Sequence, residues 1–254
     1  MTEAPLFRQI ADALRDAVLR GELRPGQQIP SENELKDRFH TTRVTVRKAI
    51  ALLKADGLLV SQQGKGAFVR PRPAVQMLTT GANFRRRRYS GEPNYNAEAT
   101  AQGRNARQEL IDVETVPAPP EIAARFDVPE GTPVIVRRLR FLADEEPMQL
   151  VNAYYLAARF AGTAVADRRR IRGGVSQLIE DPDGPIQQRI VQFVEELELR
   201  MPQPDERDLL AIPPGVPLAR VFRTGHVASG EIVEVLDSRV PCDRHTFRYV
   251  IDIP

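Results

Sequence analysis

The sequence predicts an α+β fold in two parts, a small helical region closed by a two-stranded β-ribbon and then a longer region built on an antiparallel sheet. Three observations predict it. Apolar residues recur at helical spacing over residues 6–18 and 46–53, the period turns strand-like after Gly57, and short β-branched runs separated by turn residues fill the chain from about residue 106.

The elements follow in order. Leu6, Ile10, Leu14 and Val18 recur every four residues, with Ala13 and Ala17 beside them and Arg8, Asp12, Arg15 and Asp16 elsewhere, so a first amphipathic helix runs from near Pro5 to near Gly21. The connection GELRPGQQIP is rich in turn residues, and its Leu23 and Ile29 are expected to seal a small core. Ser31 and Glu34 have the S-x-x-E spacing of a capping box, which starts a second helix ending near Arg38. A third helix begins near Thr42, buries Val46, Ala49, Ile50 and Leu53, and stops at Gly57. Leu58–Gln62 and Ala67–Arg70 then flank the tip Gln63-Gly64-Lys65-Gly66. Three helices and a basic ribbon make a winged helix-turn-helix.

That arrangement carries the chemistry needed to meet a duplex. The third helix offers Arg43 and Arg47 on the face opposite its apolar stripe, with Thr45 and Lys48 in the same first turns, where guanidinium groups can reach base edges or phosphates. Gly64 and Gly66 let the wing backbone come close to a phosphate or minor groove, with Lys65 as the charge between them. Ser31 has two roles open to it, a DNA contact or the helix cap. Isolated surface arginines would mean little, whereas arginines in the first turns of a helix between a capped helix and a basic wing point to double-stranded DNA.

Charge supports the same division. The net charge of the 254-residue chain is only +2, yet residues 1–72 carry 13 Lys and Arg against 8 Asp and Glu, while the region beyond residue 95 is acidic. A polyanion is therefore expected at the amino-terminal end alone. The length allows two domains at about 100–200 residues each. We expect a DNA-binding domain over 1–72, a linker over 73–94 and a second domain over 95–254. The linker follows Pro71, opens with Pro73 and contains the run Arg85–Arg88, which reads either as a solvated charge run or as a contact to flanking phosphate.

Within the second domain, 106–116, 133–142 and 148–155 read as strands, 119–126 as a short helix, and 173–180 and 207–211 as further short helices. The segment 186–199 fits helix slightly better by the spacing of Ile190, Val191, Val194 and Leu197. Residues 217–228 and 232–240 form a strand pair joined at Ser229-Gly230, and 247–253 a last strand.

The motif residues resemble the GntR family of bacterial transcription regulators. They are Pro30-Ser31-Glu32, Leu35, Thr42-Arg43, Thr45-Val46-Arg47, Ala49, Leu53, Gly57-Leu58, Gln63-Gly64, Gly66 and Phe68-Val69. Asn33 stands where many relatives carry Arg, and Val44 replaces a small hydroxyl residue. The second half resembles the UTRA domain of the HutC subfamily, on Gly131-Thr132-Pro133, Arg137-Arg138-Leu139-Arg140, Glu146-Pro147-Met148, Tyr154, Gly173-Gly174, Arg200-Met201-Pro202, Glu206, Leu210, Arg223, Val233-Glu234, Asp243-Arg244 and Phe247. The resemblance implies a chorismate lyase-like α+β sheet backing an effector pocket, a homodimer, and strand rather than helix over 186–199. It also implies that Arg138, Arg140 and Glu234 line the pocket, with Tyr154 and Arg223 as further candidates. Two guanidiniums at alternate strand positions can clamp an anion, which makes a phosphate or carboxylate ligand the expectation, while an internal salt bridge to Glu234 or Asp237 is the alternative use of those arginines.

An enzyme is not expected. The chain has no P-loop, no G-x-G-x-x-G and no HExxH, and Cys242 with His245 lacks the further ligands of a zinc site. His40 and His226 have no evident partners. No cofactor or metal is implied. The single Cys242 excludes an internal disulfide, and neither an export signal nor an apolar span of roughly 18 residues is visible, so a cytoplasmic protein with no membrane partner is expected. The reading is a transcription regulator, a repressor released by a small-molecule effector; the alternative is a DNA-binding regulator whose second domain only dimerises.

Overall fold

The computed structural model describes residues 4–62, 64–71 and 94–247, and of residues 94 and 96–98 the backbone alone. Gln63, the arginine run Arg85–Arg88 and nearly all of the strand expected over 247–253 lie outside the described residues. The chain divides into two compact units.

The first unit contains α1 (Leu6–Leu19), α2 (Glu32–Arg38), α3 (Arg43–Ala55) and a hairpin of β1 (Leu59–Gln62) and β2 (Gly66–Val69). Each boundary has a local cause. The Ser31 hydroxyl accepts from the Glu34 amide at 3.2 Å while the Glu34 carboxylate accepts from the Ser31 amide at 2.7 Å, closing the capping box. Hydrogen bonding of the Glu34 carboxyl to the Ser31 side chain, and then to the Ser31 amide, holds it below the usual carboxylate range. Thr42 caps α3 by accepting from the Thr45 amide at 3.3 Å. Gly57 ends the helix at φ +74°, a left-handed conformation that costs glycine nothing. Ile10, Leu14, Ile29, Leu35, Val46, Ala49, Leu53 and Leu59 pack into one core, so the apolar stripe of α3 faces inward and its basic stripe outward.

Among the described residues the second unit contains one six-stranded antiparallel sheet. Its members are β3 (Ala106–Pro117), β4 (Pro133–Ala143), β5 (Glu146–Leu156), β6 (Ile190–Arg200), β7 (Leu218–Val227) and β8 (Ile232–Pro241), in spatial order β3-β4-β5-β8-β7-β6. Among the described residues five α-helices accompany the strands, α4 (Asn94–Ala101), α5 (Pro120–Phe126), α6 (Ala157–Phe160), α7 (Val175–Glu180) and α8 (Pro204–Leu209), with a 3-10 turn at Ala164–Ala166. Side chains pack on both faces of the sheet, and the segment 157–186 forms the cover over the face of Tyr155. Phe160, Val165, Ile179 and Ile186 pack on one face against Ile135, Val151, Ala153 and Tyr155. Ile122, Ala123 and Phe126 of α5 pack on the other against Val134, Val136, Tyr154, Phe222 and Val235. The segment with ambiguous spacing is strand β6, and the helix expected over 207–211 lies earlier, starting at Pro204, where the Glu206 carboxylate accepts from the Gln203 amide at 2.9 Å.

Candidate nucleic-acid interface and ligand site

On α3, Arg43, Val44, Arg47 and Lys48 are exposed, and Val46, Ala49, Ile50 and Leu53 are buried on the opposite side. The two arginines do not wave freely. Arg43 Nε donates to Asn33 Oδ1 at 3.0 Å, and Arg47 Nε donates to Glu32 Oε2 at 2.9 Å and Oε1 at 3.1 Å. Thr45 is half-buried, its hydroxyl 3.1 Å from that of Thr42. Ser31 is exposed and closes the capping box, one of the two roles open to it.

The wing is a short, regular hairpin with Gln62 paired to Gly66 and Leu59 to Val69. Gln28 ties its tip down by donating to the Lys65 carbonyl at 2.7 Å and pairs as a bridge with Phe68. Gly66 sits at φ +111°, where a Cβ would come within 3.0 Å of the Gln28 amide nitrogen. Gly64 has open space around it, and the Lys65 side chain is exposed.

In the second unit the polar groups sort by sheet face, because alternate residues of a strand point to opposite sides. Ile135, Arg137, Val151, Ala153 and Tyr155 share one face. Tyr155 Oη donates to Glu234 Oε1 at 2.7 Å, and both groups are buried. Burial pushes the Glu234 carboxyl above the usual carboxylate range, against the hydrogen bond from Tyr155 and the positive charge of Arg223. Burial likewise pushes the Tyr155 phenol well up, with the Glu234 charge adding to it. Arg223 pairs with Glu195 at 2.6 Å and lies over the Phe193 ring. Arg137 is buried and spends its terminal nitrogens on the carbonyls of Val165 (2.8 Å), Asp167 (2.8 Å) and Arg169 (2.9 Å). It thereby fastens the segment that covers this face.

Two stretches of the chain match known domain patterns. Residues 6–69 match bacterial regulatory proteins of the gntR family, and residues 101–246 match the UTRA domain. The chain belongs to the GntR family and carries a UTRA domain. An HTH-type transcriptional regulator of Mycobacterium tuberculosis is 30% identical over 96% of this chain and 84% of its own. The HTH-type transcriptional repressor NagR of Bacillus subtilis is 26% identical over 98% of this chain and 95% of its own. Among solved structures, PhnF from Mycobacterium smegmatis superposes with a TM-score of 0.59 at 23% identity, covering 96% of this chain and 100% of that one, a likeness of fold. The family and these relatives are regulators of transcription, not enzymes.

Of the expected amino-terminal residues, Arg43, Thr45, Arg47 and Lys48 lie on α3, Gly64, Lys65 and Gly66 lie at the wing, and Ser31 lies at the start of α2. The five expected UTRA residues do not come together. Glu234 and Arg223 are on the face of Tyr155, whereas Arg138, Arg140 and Tyr154 are on the other face. Arg138 there meets Glu114 at 2.7 Å and Asp112 at 3.2 Å, and Arg140 meets Glu109 at 2.6 Å. The Glu109 carboxyl is held low chiefly by the hydrogen bond from Arg140. Their acidic partners are thus neither Glu234 nor Asp237, and Asp237 pairs with Arg220 at 3.0 Å. Sequence reasoning missed Tyr155 and Arg137, one position from Tyr154 and Arg138. The signal was present, since Ile135, Leu139 and Phe141 mark the apolar face of β4 and Arg137 stands in that series.

Proposed function

We propose that this chain is a ligand-controlled repressor that grips a duplex operator with α3 and the wing, two copies acting together. A small molecule held on the covered face of the UTRA sheet loosens that grip. In this reading residues 1–72 bind DNA, 95–254 hold the ligand and the dimer contact, and 73–94 connect them. The observation that carries it is the exposed row Arg43, Arg47 and Lys48 on a helix whose other face is buried. Arg43 and Arg47 address base edges, and Lys48, Lys65 and the amides at Gly64 and Gly66 address phosphates. Thr45, tied to Thr42, contributes through its position at the helix start.

The ligand end rests on Glu234. A buried carboxylate bonded to one phenol is a ready acceptor for a hydroxyl or amine. With Arg138 and Arg140 engaged by carboxylates on the opposite face, the case for a phosphate clamp loses its pair, and a ligand rich in hydrogen-bond donors fits better. The repressor NagR, similar over nearly the whole chain, supports the sign of regulation. Such control requires that the ligand bind one arrangement of the dimer more tightly than another.

The test is selection of bound sequences from a random duplex pool, then a thermal-shift screen of sugars, sugar phosphates, amino acids and amines. The proposal expects a hit that releases the selected duplex from the unaltered protein and fails to release it from Glu234→Gln. Release that is undiminished in Glu234→Gln contradicts the ligand site.

A further inference from the structure

The two arginines of α3 are each held from α2, and each at the same atom. Asn33 takes the Nε of Arg43 and Glu32 takes the Nε of Arg47. Among the described residues no protein acceptor meets the terminal nitrogens of either guanidinium. A guanidinium is a rigid plane with five N–H donors, and the terminal pair is the fork that matches O6 and N7 of guanine. Bonding at Nε fixes the plane and leaves that fork presented outward.

We propose that Glu32 and Asn33 are positioning residues that set base preference by aiming Arg47 and Arg43. The inference rests on the reading of α3 as the DNA-facing helix. The two are well placed to aim something, because they occupy the first two positions of a helix whose start is locked by the Ser31–Glu34 capping box and whose Leu35 is fully buried in the core shared with α3. An arginine freed of its Nε partner has more rotamers and satisfies a phosphate as readily as a base, so it binds without discriminating.

The two holds differ in charge. Asn33 is a neutral acceptor. Glu32 also brings a negative charge beside the phosphates of any bound duplex, which penalises complexes in which Arg47 lacks a good base partner and so disfavours wrong sequences. Glu32 therefore acts twice, through its geometry and through its charge. Gln at this position keeps an acceptor oxygen and removes the charge, which separates the two effects.

The experiment runs sequence selection from a random duplex pool on the full chain and on Glu32→Ala, Glu32→Gln and Asn33→Ala. Affinities for the selected duplex and for a scrambled duplex of equal length follow. Glu32→Ala is expected to relax preference at one position of each half-site and to lower the ratio of selected to scrambled affinity about tenfold, within the range one bidentate base contact supplies. Glu32→Gln is expected to restore the preference at that position while keeping a raised affinity for the scrambled duplex. Asn33→Ala is expected to relax a different position. The same preferences in Glu32→Ala and Asn33→Ala as in the unaltered chain overturn the inference. Arg47→Ala and Arg43→Ala serve as reference: if these also bind the selected duplex normally, the reading of α3 falls, and if only they lose it, the aiming role alone falls.

Discussion

Tyr155 and Glu234, on neighbouring strands β5 and β8, share a 2.7 Å hydrogen bond inside the covered face of the UTRA sheet, where neither group is solvated. A carboxylate buried in this way is costly to keep ionised, and its single phenol partner does not replace water. A buried carboxyl perturbed in this way is a candidate binding group, which is the role proposed for Glu234.

Glu234→Gln is accordingly expected to stabilise the fold above neutral pH while removing the ligand response. The Glu234 pKa is raised in the folded state, so the folded protein binds the extra proton and stability falls as pH rises from the ordinary carboxylate value through the raised one. Urea unfolding at pH 8 and pH 5 measures it. The variant is expected to gain more over the unaltered chain at pH 8 than at pH 5.

Arg137 makes the opposite kind of contribution. Its three carbonyl acceptors belong to the segment laid across the sheet, and Arg137→Met leaves them without a donor. A loss of about 2–4 kcal/mol in unfolding free energy is expected. Arg137→Lys is expected to recover less than half of it, since one ammonium cannot span the three acceptors of a planar fork.

His245 gives the second unit an acid limit. Its Nδ1 lies 3.1 Å from the Pro241 carbonyl, its Nε2 is buried without a hydrogen-bond partner among the described residues, and burial pushes its pKa down to about 4. The unfolded chain takes up the proton first, near pH 6.5, so stability is full above that value and falls between it and about pH 4, by at most about 3 kcal/mol. A pH series of melting temperatures checks this. His245→Asn is expected to flatten the curve over that window.

Much of this fold is legible in the sequence where a local rule and the tertiary environment agree. The S-x-x-E spacing of Ser31 and Glu34 gives a capping box in both, and Val46, Ala49, Ile50 and Leu53 mark the inner face of α3 because that face is fully covered. Strand β6 is ambiguous for the converse reason: it lies at the sheet edge, with Val191, Val194, Leu197 and Leu199 all exposed, so no face is dry enough to impose a period of two. The residues expected at the ligand site divide between the two faces of the sheet. In a strand one step of register exchanges the faces, and an R-x-R spacing alone does not say which face the two arginines take. The pairing of Arg43 with Asn33 and of Arg47 with Glu32 depends on how α2 packs on α3, which sequence spacing does not contain.

The most direct test of the account is the affinity of Arg43→Ala/Arg47→Ala for the selected duplex, read by fluorescence anisotropy at fixed salt beside circular dichroism of the same sample. The account predicts a loss of at least about a hundredfold with the helical signal and melting temperature unchanged, as two lost base contacts require. Undiminished affinity in a folded double variant would contradict it.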